Sequence, residues 1–320
     1  MTTLVAVADT VFPTLDPARK ALEGLDVELV IAEEPTPEAV LAVAADADAL
    51  FVTYGQITAD IIGGLNRCKV IGRFGIGTDN IDLRAAADAG IVVTYAPVYC
   101  LDEVSDHAMA LLLTLARKTA MANTMVHGGR WEMPAVVPIH RLRGRTLGLV
   151  GLGNIPQKIV PKAQAFGIDV IASDPYAPDE VFERLNVRRV DFEELLETSD
   201  FVSVHAPLTA ETQGMFNTEV FSKMKSTALL VNTARGPLVN VEDLAKALDG
   251  GQIAGAALDV LPVEPPPVGM GLLGRDNVIL TPHTAFYSED ALLDLQTTVA
   301  TDVATVLRGG TPKFPVRLPT

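Results

Sequence analysis

Short runs of β-branched and small apolar residues recur along this chain, separated by stretches whose apolar residues repeat with helical spacing. Strands are predicted at residues 4–8, 27–32, 49–53, 70–73 and 91–95, with helical patterns between them at 37–45 and 58–65. The pattern restarts at residues 146–150 and continues through 170–173, 201–205, 228–232, 254–258 and 278–281. Strand–helix alternation with short loops builds a parallel sheet, because each crossover returns the chain to the same edge and lays a helix on one face. A longer helix is expected over residues 101–118, where Val104, Ala108, Leu111, Leu112 and Leu115 line one side. Asp102 and Glu103 favour its start, and Arg117 and Lys118 its end, as the helix dipole requires. The polar, Gly-containing passage 126–145 reads as a connection, and a last amphipathic helix is expected over 288–307.

At 320 residues the chain exceeds what one hydrophobic core usually holds, so two domains are expected. Asp and Glu outnumber Lys and Arg by 40 to 25, a formal net charge of −15. That excess repels phosphate backbones and anionic bilayers, so neither nucleic acid nor a membrane is expected as a partner. It also means that an anionic substrate must be held by local cations. The two cysteines, Cys68 and Cys100, lie in no C-x-x-C or metal-like spacing and read as ordinary thiols of a reducing compartment. The start, Met1-Thr2-Thr3-Leu4, lacks a basic leader and reads at once as a strand. The apolar patch at 108–116 is far short of the ~20 residues of a membrane span. A cytoplasmic protein is expected.

The strand at 146–150 runs straight into Gly151-Leu152-Gly153-Asn154-Ile155-Pro156 and then a helical pattern. Strand, glycine turn and helix in that order form the dinucleotide fingerprint in the context it needs. Gly151 allows the tight turn, and Gly153 lets the backbone approach a pyrophosphate seated on the free N–H groups of the helix start. Asp174 ends the next strand, where its carboxylate can accept ribose hydroxyls and would repel a 2′-phosphate. Its neighbours Pro175 and Tyr176 offer no cation to reverse that preference, so NAD rather than NADP is expected. Pro156 replaces the third glycine and Pro161 falls in the second helical turn. The first is tolerable and the second should kink or interrupt the helix, so an irregular cofactor helix and weaker NAD binding are expected.

Three later strands end in residues capable of chemistry: Asn232-Thr233-Ala234-Arg235-Gly236, Leu258-Asp259-Val260 leading to Glu264-Pro265, and Thr281-Pro282-His283-Thr284-Ala285. The C-terminal ends of parallel strands share one edge, so these segments can converge. With Arg73-Phe74-Gly75-Ile76-Gly77-Thr78-Asp79-Asn80-Ile81-Asp82 and His205-Ala206-Pro207-Leu208-Thr209 followed by Thr212, the chain resembles the D-isomer-specific 2-hydroxyacid dehydrogenase family. That family includes phosphoglycerate, glyoxylate/hydroxypyruvate and D-lactate dehydrogenases. The resemblance spans almost the whole chain and rests most on the ordered set Arg, Glu, Pro-His.

What the resemblance implies agrees with what the chemistry needs. Reducing a keto acid takes a cation for its carboxylate and carbonyl, a proton donor and a hydride source. Arg235 would bind the substrate through its fork, and His283 would be the general acid in reduction and the base in oxidation. Glu264 would hydrogen-bond His283 and favour the imidazolium, which predicts reduction at lower pH and oxidation at higher pH. Implied cofactor contacts are Gly151, Gly153, Asn154, Ile155, Asp174, His205, Pro207, Thr212, Ala234 and Asp259, the last accepting from the nicotinamide carboxamide. The turn at Ile76 and Gly77 would offer N–H groups to the substrate carboxylate, and Arg73 either adds charge there or forms a structural ion pair. Of the five histidines, His107 reads as structural, His127 and His140 as surface residues, and His205 as a neighbour of the cofactor rather than a proton carrier. Trp131 reads as packing or a dimer contact. No metal site is expected.

The family arrangement implies two Rossmann-like or flavodoxin-like, doubly wound α/β domains with the active site in the cleft between them. Residues 1–99 with 288–320 would form a discontinuous substrate domain and 100–287 the NAD domain, through which a homodimer is expected. The expected function is hydride transfer between NAD and a small D-2-hydroxy or 2-keto acid of glyoxylate, hydroxypyruvate or phosphoglycerate type. An NAD(H)-sensing protein like the C-terminal-binding corepressors, or a dehydrogenase of another small anion such as phosphite, are the alternatives. Glu264 argues against formate oxidation, since that branch has Gln in its place.

Overall fold

The computed structural model describes residues 2–317; the expected strand's Met1 and the last three residues of the expected first domain lie outside them. Two compact units divide the chain, residues 1–99 with 288–320 and residues 100–287. In chain order the elements begin β1 (Thr3–Val7), α1 (Asp16–Ala21), β2 (Val27–Ile31), α2 (Pro37–Ala44), β3 (Ala49–Val52), α3 (Ala59–Gly63), β4 (Val70–Arg73), α4 (Leu83–Asp88) and β5 (Val92–Thr94). There follow α5 (Leu101–Arg117), α6 (Thr119–His127), β6 (Thr146–Val150), α7 (Asn154–Ala165), β7 (Asp169–Ser173), α8 (Asp179–Leu185), β8 (Arg188–Arg189), α9 (Phe192–Thr198) and β9 (Phe201–Val204). The chain closes with α10 (Thr218–Lys223), β10 (Leu229–Asn232), α11 (Val241–Asp249), β11 (Gly255–Leu258), β12 (Val278–Leu280) and α12 (Glu289–Leu307).

The first unit is a five-stranded parallel sheet in the order β2-β1-β3-β4-β5. Strand β3 buries every side chain and β1 its last three, Val5 to Val7, which is why these stretches read as unbroken apolar runs. Phe51 stacks on Phe74 with ring centroids 4.7 Å apart, and Phe12 meets Phe74 edge-on at 5.2 Å. Ser288 caps α12 by accepting from the Ala291 N–H, and the helix packs on β4, β5 and α1. Val316 N–H bonds to the Val93 carbonyl and Pro315 bridges Thr94, so residues 315 and 316 cover the outer edge of β5.

The second unit is a seven-stranded parallel sheet in the order β12-β11-β10-β9-β6-β7-β8. From β6, the strand that carries the glycine turn, β7 and β8 are added on one side and β9 to β12 on the other, which makes its end the switch point where such sheets bind ligands. Alternating side chains feed two cores: Val202, Leu230, Ala256 and Leu258 on one face, Phe201, Val231, Ala257 and Leu149 on the other with α5 and α7. Among the described residues no helix is long and apolar enough to cross a membrane, and no group of His, Cys, Asp or Glu could hold a metal ion.

Two expectations are corrected. The passage 126–145, expected to be all connection, holds the last two residues of α6 and a 3₁₀ turn at Met133–Val136; most of α6 lies ahead of it, after Lys118, which turns the chain left-handed at φ +52°. No residue of α6 is buried, so it has no apolar stripe to betray it. The cofactor helix α7 runs unbroken through both prolines. Pro156 takes the third helical position, where an N–H has no helical partner to lose. Pro161 is exposed and removes one bond, a cost of about 3 kcal/mol. Ile159, Val160 and Ala163 are buried around it, and at about 1.5–3 kcal/mol per large aliphatic side chain they outweigh that cost. Lys158 and Lys162 add ion pairs to Asp102 and Asp106 of α5, on either side of the proline.

Candidate active site

The turn after β6 needs glycine for two reasons. Gly151 has φ +97°, a left-handed value that side chains resist, and a Cβ there would stand 3.0 Å from the carbonyl oxygen of His205. Gly153 is the N-cap of α7, no side chain caps that end, and a Cβ on it would meet nothing within 4 Å. Asn154 and Ile155 form the first turn, exposed and half-buried. Asp174, just past β7, accepts from the N–H groups of Leu152 at 2.7 Å, Tyr176 at 2.8 Å and Ala177 at 3.0 Å, which ties the end of β7 to the glycine turn. A close-packed turn, an uncapped helix start and a strand-end carboxylate could hold the pyrophosphate and ribose of a dinucleotide.

One charge here escaped the sequence. Arg189, on β8, bonds to the carbonyl of Asp174 at 3.4 Å and to the carboxylate of Asp179 at 2.9 Å, so a cation does stand beside Asp174. On the other side of the turn, burial pushes the His205 imidazole down to about 3, which keeps it neutral, with Nε2 2.8 Å from Ser203 Oγ. Thr212 Oγ1 donates to the Pro207 carbonyl at 2.6 Å and closes the loop after β9.

The loop after β10 is built on Asn232, whose fully buried side chain donates to the Arg235 carbonyl at 2.9 Å and accepts from the Ala234 N–H at 3.0 Å. Gly236 then packs against the next loop: a Cβ on it would fall 2.0 Å from the carbonyl carbon of Leu261. Arg235 is thereby set beside the segment that carries Glu264. Glu264 accepts from the Leu261 N–H at 2.8 Å through Oε1, and its Oε2 lies 2.8 Å from His283 Nδ1. Partial burial disfavours the Glu264 anion, but the bonds from His283 and Leu261, with the charges of His283 and Arg235, hold its carboxyl below the usual range. An ionised carboxylate only accepts, so Nδ1 carries a hydrogen and Nε2 is the nitrogen whose protonation changes. His283 and Glu264 remain 28% and 36% exposed, open to a small molecule.

His283 itself has φ +53°, a conformation that costs a side-chain-bearing residue about 1–2 kcal/mol. Asp259 holds it there. The Asp259 carbonyl accepts from His283 N–H at 2.8 Å, and the carboxylate accepts from Thr284 N–H at 3.0 Å and Ala285 N–H at 2.9 Å. That carboxylate is 1% exposed and also receives the Thr281 hydroxyl. The structure thus brings Arg235, Glu264, His283, Ala234 and Asp259 to one edge of the seven-stranded sheet, together with Gly151, Gly153, Asp174, His205, Pro207 and Thr212. Ile76 and Gly77 lie in the other unit, in the loop after β4. His107, of α5, contacts Thr281 and Asp259, the residues bonded around the His283 turn.

Residues 109–285 match the family model of the D-isomer specific 2-hydroxyacid dehydrogenase NAD binding domain. D-3-phosphoglycerate dehydrogenase of Methanocaldococcus jannaschii is 40% identical over 96% of this chain and 58% of its own length. Hydroxypyruvate reductase of Thermotoga maritima is 39% identical over 82% of this chain and 85% of its own. The chain spans about half the length of the phosphoglycerate dehydrogenases it matches. D-lactate dehydrogenase from Aquifex aeolicus, solved with NAD and lactic acid, superposes with a TM-score of 0.88 at 26% identity, over 99% of this chain and 100% of that one. With an NAD-binding domain matched over more than half its length, the chain belongs to the D-isomer specific 2-hydroxyacid dehydrogenase family.

Proposed function

We propose that this chain transfers hydride between NAD and a small D-2-hydroxy or 2-keto acid of glyoxylate, hydroxypyruvate or phosphoglycerate type. Gly151, Gly153, Asn154 and Ile155 would cradle the pyrophosphate, with Asp174 on the adenosine ribose and His205, Pro207, Thr212 and Ala234 beside the rest of the cofactor. Bound NADH supplies the hydride. The Arg235 guanidinium pairs with the substrate carboxylate and polarises its carbonyl. His283 Nε2 gives its proton to the carbonyl oxygen in reduction and takes it back in oxidation, while Glu264 keeps Nδ1 protonated and stabilises the imidazolium.

The 2.8 Å contact between His283 Nδ1 and Glu264, with Arg235 on the adjoining loop, carries this reading. The test follows NADH absorbance with glyoxylate, hydroxypyruvate, phosphohydroxypyruvate and pyruvate, beside His283→Ala. Turnover by wild type that the variant loses supports the reading, and the ranking of acids names the substrate. NADH binding without turnover of any acid overturns it.

A homodimer through the NAD domain fits the end of α6 and the passage after it, where Val126, Trp131, Met133 and Val137 expose apolar surface, Trp131 at 88%. Light scattering after chromatography should give twice the chain mass, and Trp131→Asp should halve it. A reducing, cytoplasmic setting fits a chain whose cysteines are only Cys68 and Cys100, with Cys68 pushed up to about 11 by burial and therefore inert.

A further inference from the structure

The sequence gives no sign that α5 reaches the catalytic turn, yet one of its side chains does. His107 Nε2 lies 3.0 Å from Thr281 Oγ1 and 3.5 Å from Asp259 Oδ1. The Thr281 hydroxyl stands 2.5 Å from Asp259 Oδ1. An ionised carboxylate offers no hydrogen, so the hydroxyl hydrogen goes to Asp259 and Thr281 Oγ1 accepts. The partner left to donate is His107, which fixes its tautomer with the hydrogen on Nε2. The bonds then run one way, from His107 through Thr281 to Asp259, and Asp259 in turn grips the backbone of His283, Thr284 and Ala285. The gripped segment contains the left-handed His283, the conformation that has most to gain by relaxing.

We propose that His107 is a positioning residue for His283, acting through Thr281 and Asp259 to hold the strained turn in its reactive form. Without its N–H, the Thr281 hydroxyl loses the partner that aims it at Asp259, and the grip on residues 283–285 slackens. This rests on His283 being the acid–base group, so one readout must stand apart from turnover. The five histidines make ring-15N labelling selective enough for that purpose.

In labelled wild type, His107 should show hydrogen on Nε2. His107→Leu should move the ring resonances of His283 and lower kcat about tenfold, with KM for the acid and the NADH Kd within about twofold. His107→Gln, which restores an N–H donor, should recover kcat to within about twofold. Thr281→Val should reproduce His107→Leu, and the double variant should be no worse than either single one. The proposal is overturned if His107→Leu leaves both kcat and the His283 resonances unchanged, if the Gln variant is as impaired as the Leu variant, or if the two single losses multiply. Should wild type reduce no acid, the proposed activity fails, and movement or stillness of the His283 resonances still decides the positioning role.

Discussion

The two edges of the seven-stranded sheet each bury a carboxylate, and they use it in opposite ways. At the edge where strands begin, Asp200 is met by cations: Arg145 at 2.8 Å, Lys225 at 3.3 Å, and the Thr146 N–H at 2.9 Å. Its neighbours are relaxed backbone, and the cluster joins the starts of β6 and β9. At the edge where strands end, Asp259 receives backbone N–H groups, a hydroxyl and a histidine, and what it holds is strained. One carboxylate is placed where it stabilises the fold; the other spends its bonds keeping an unfavourable turn in shape. In this sheet the candidate site thus lies where local backbone is strained, and the ion-pair cluster where it is not.

That division can be broken by substitution. His283→Gly should lower kcat by about 10³-fold or more, since the proposed proton carrier is gone. Because glycine accepts φ +53°, the same change should raise stability by about 1 kcal/mol, read as a higher Tm. A variant that loses both activity and stability would erase the distinction between the edges. Glu264→Gln should cost about 100-fold in kcat with little change in KM. Glu264 is held below the usual carboxylate range, hence ionised through neutrality, and that loss should persist across neutral pH rather than appear only at one end of the profile.

At the other edge the readouts should exchange places. Asp200→Asn should leave kcat near wild type while lowering stability by about 2 kcal/mol, checked by urea unfolding. Burial raises the Asp200 pKa, but the Thr146 N–H, Arg145 and Lys225 more than reverse it, so the folded value lies below the unfolded one. The stability it lends is therefore present above the unfolded value of about 3.9 and is lost as pH falls through the folded value. Tm against pH should fall less steeply over that acid window in the Asn variant than in wild type. The smallest effect is expected at Asp174→Ser: NADH Kd rises about tenfold, and NADPH gains on NADH because Arg189 already stands there. Fluorescence titration with both cofactors checks it.

Most strands were legible within one or two residues, because buried parallel strands are short and nearly all apolar, and their ends announce themselves in Gly, Asp or Pro. The grouping of the candidate site was legible for the same reason: Arg235, Glu264 and His283 follow strand ends that a parallel sheet must gather. What stayed hidden depends on contacts between distant parts of the chain. His107 meets Thr281 across 174 positions, and Arg189 comes to Asp174 from 15 positions away on another strand. The α7 prolines misled for the opposite reason, since a local rule about helix breaking was overridden by buried neighbours. Helix α6 left no pattern because it buries nothing within its own chain.

The exposure of Trp131 has a consequence for how this protein is observed. It is the chain's single tryptophan and stands 88% exposed on the segment after α6, outside the apolar cores of its unit. Intrinsic tryptophan emission is therefore a reporter of that segment's surroundings and is nearly blind to the cores. A melt followed by this signal records when the segment is uncovered, whereas circular dichroism records when the sheets come apart. If another copy covers the segment, emission should shift to the red on dilution, at temperatures where the far-ultraviolet spectrum has not moved.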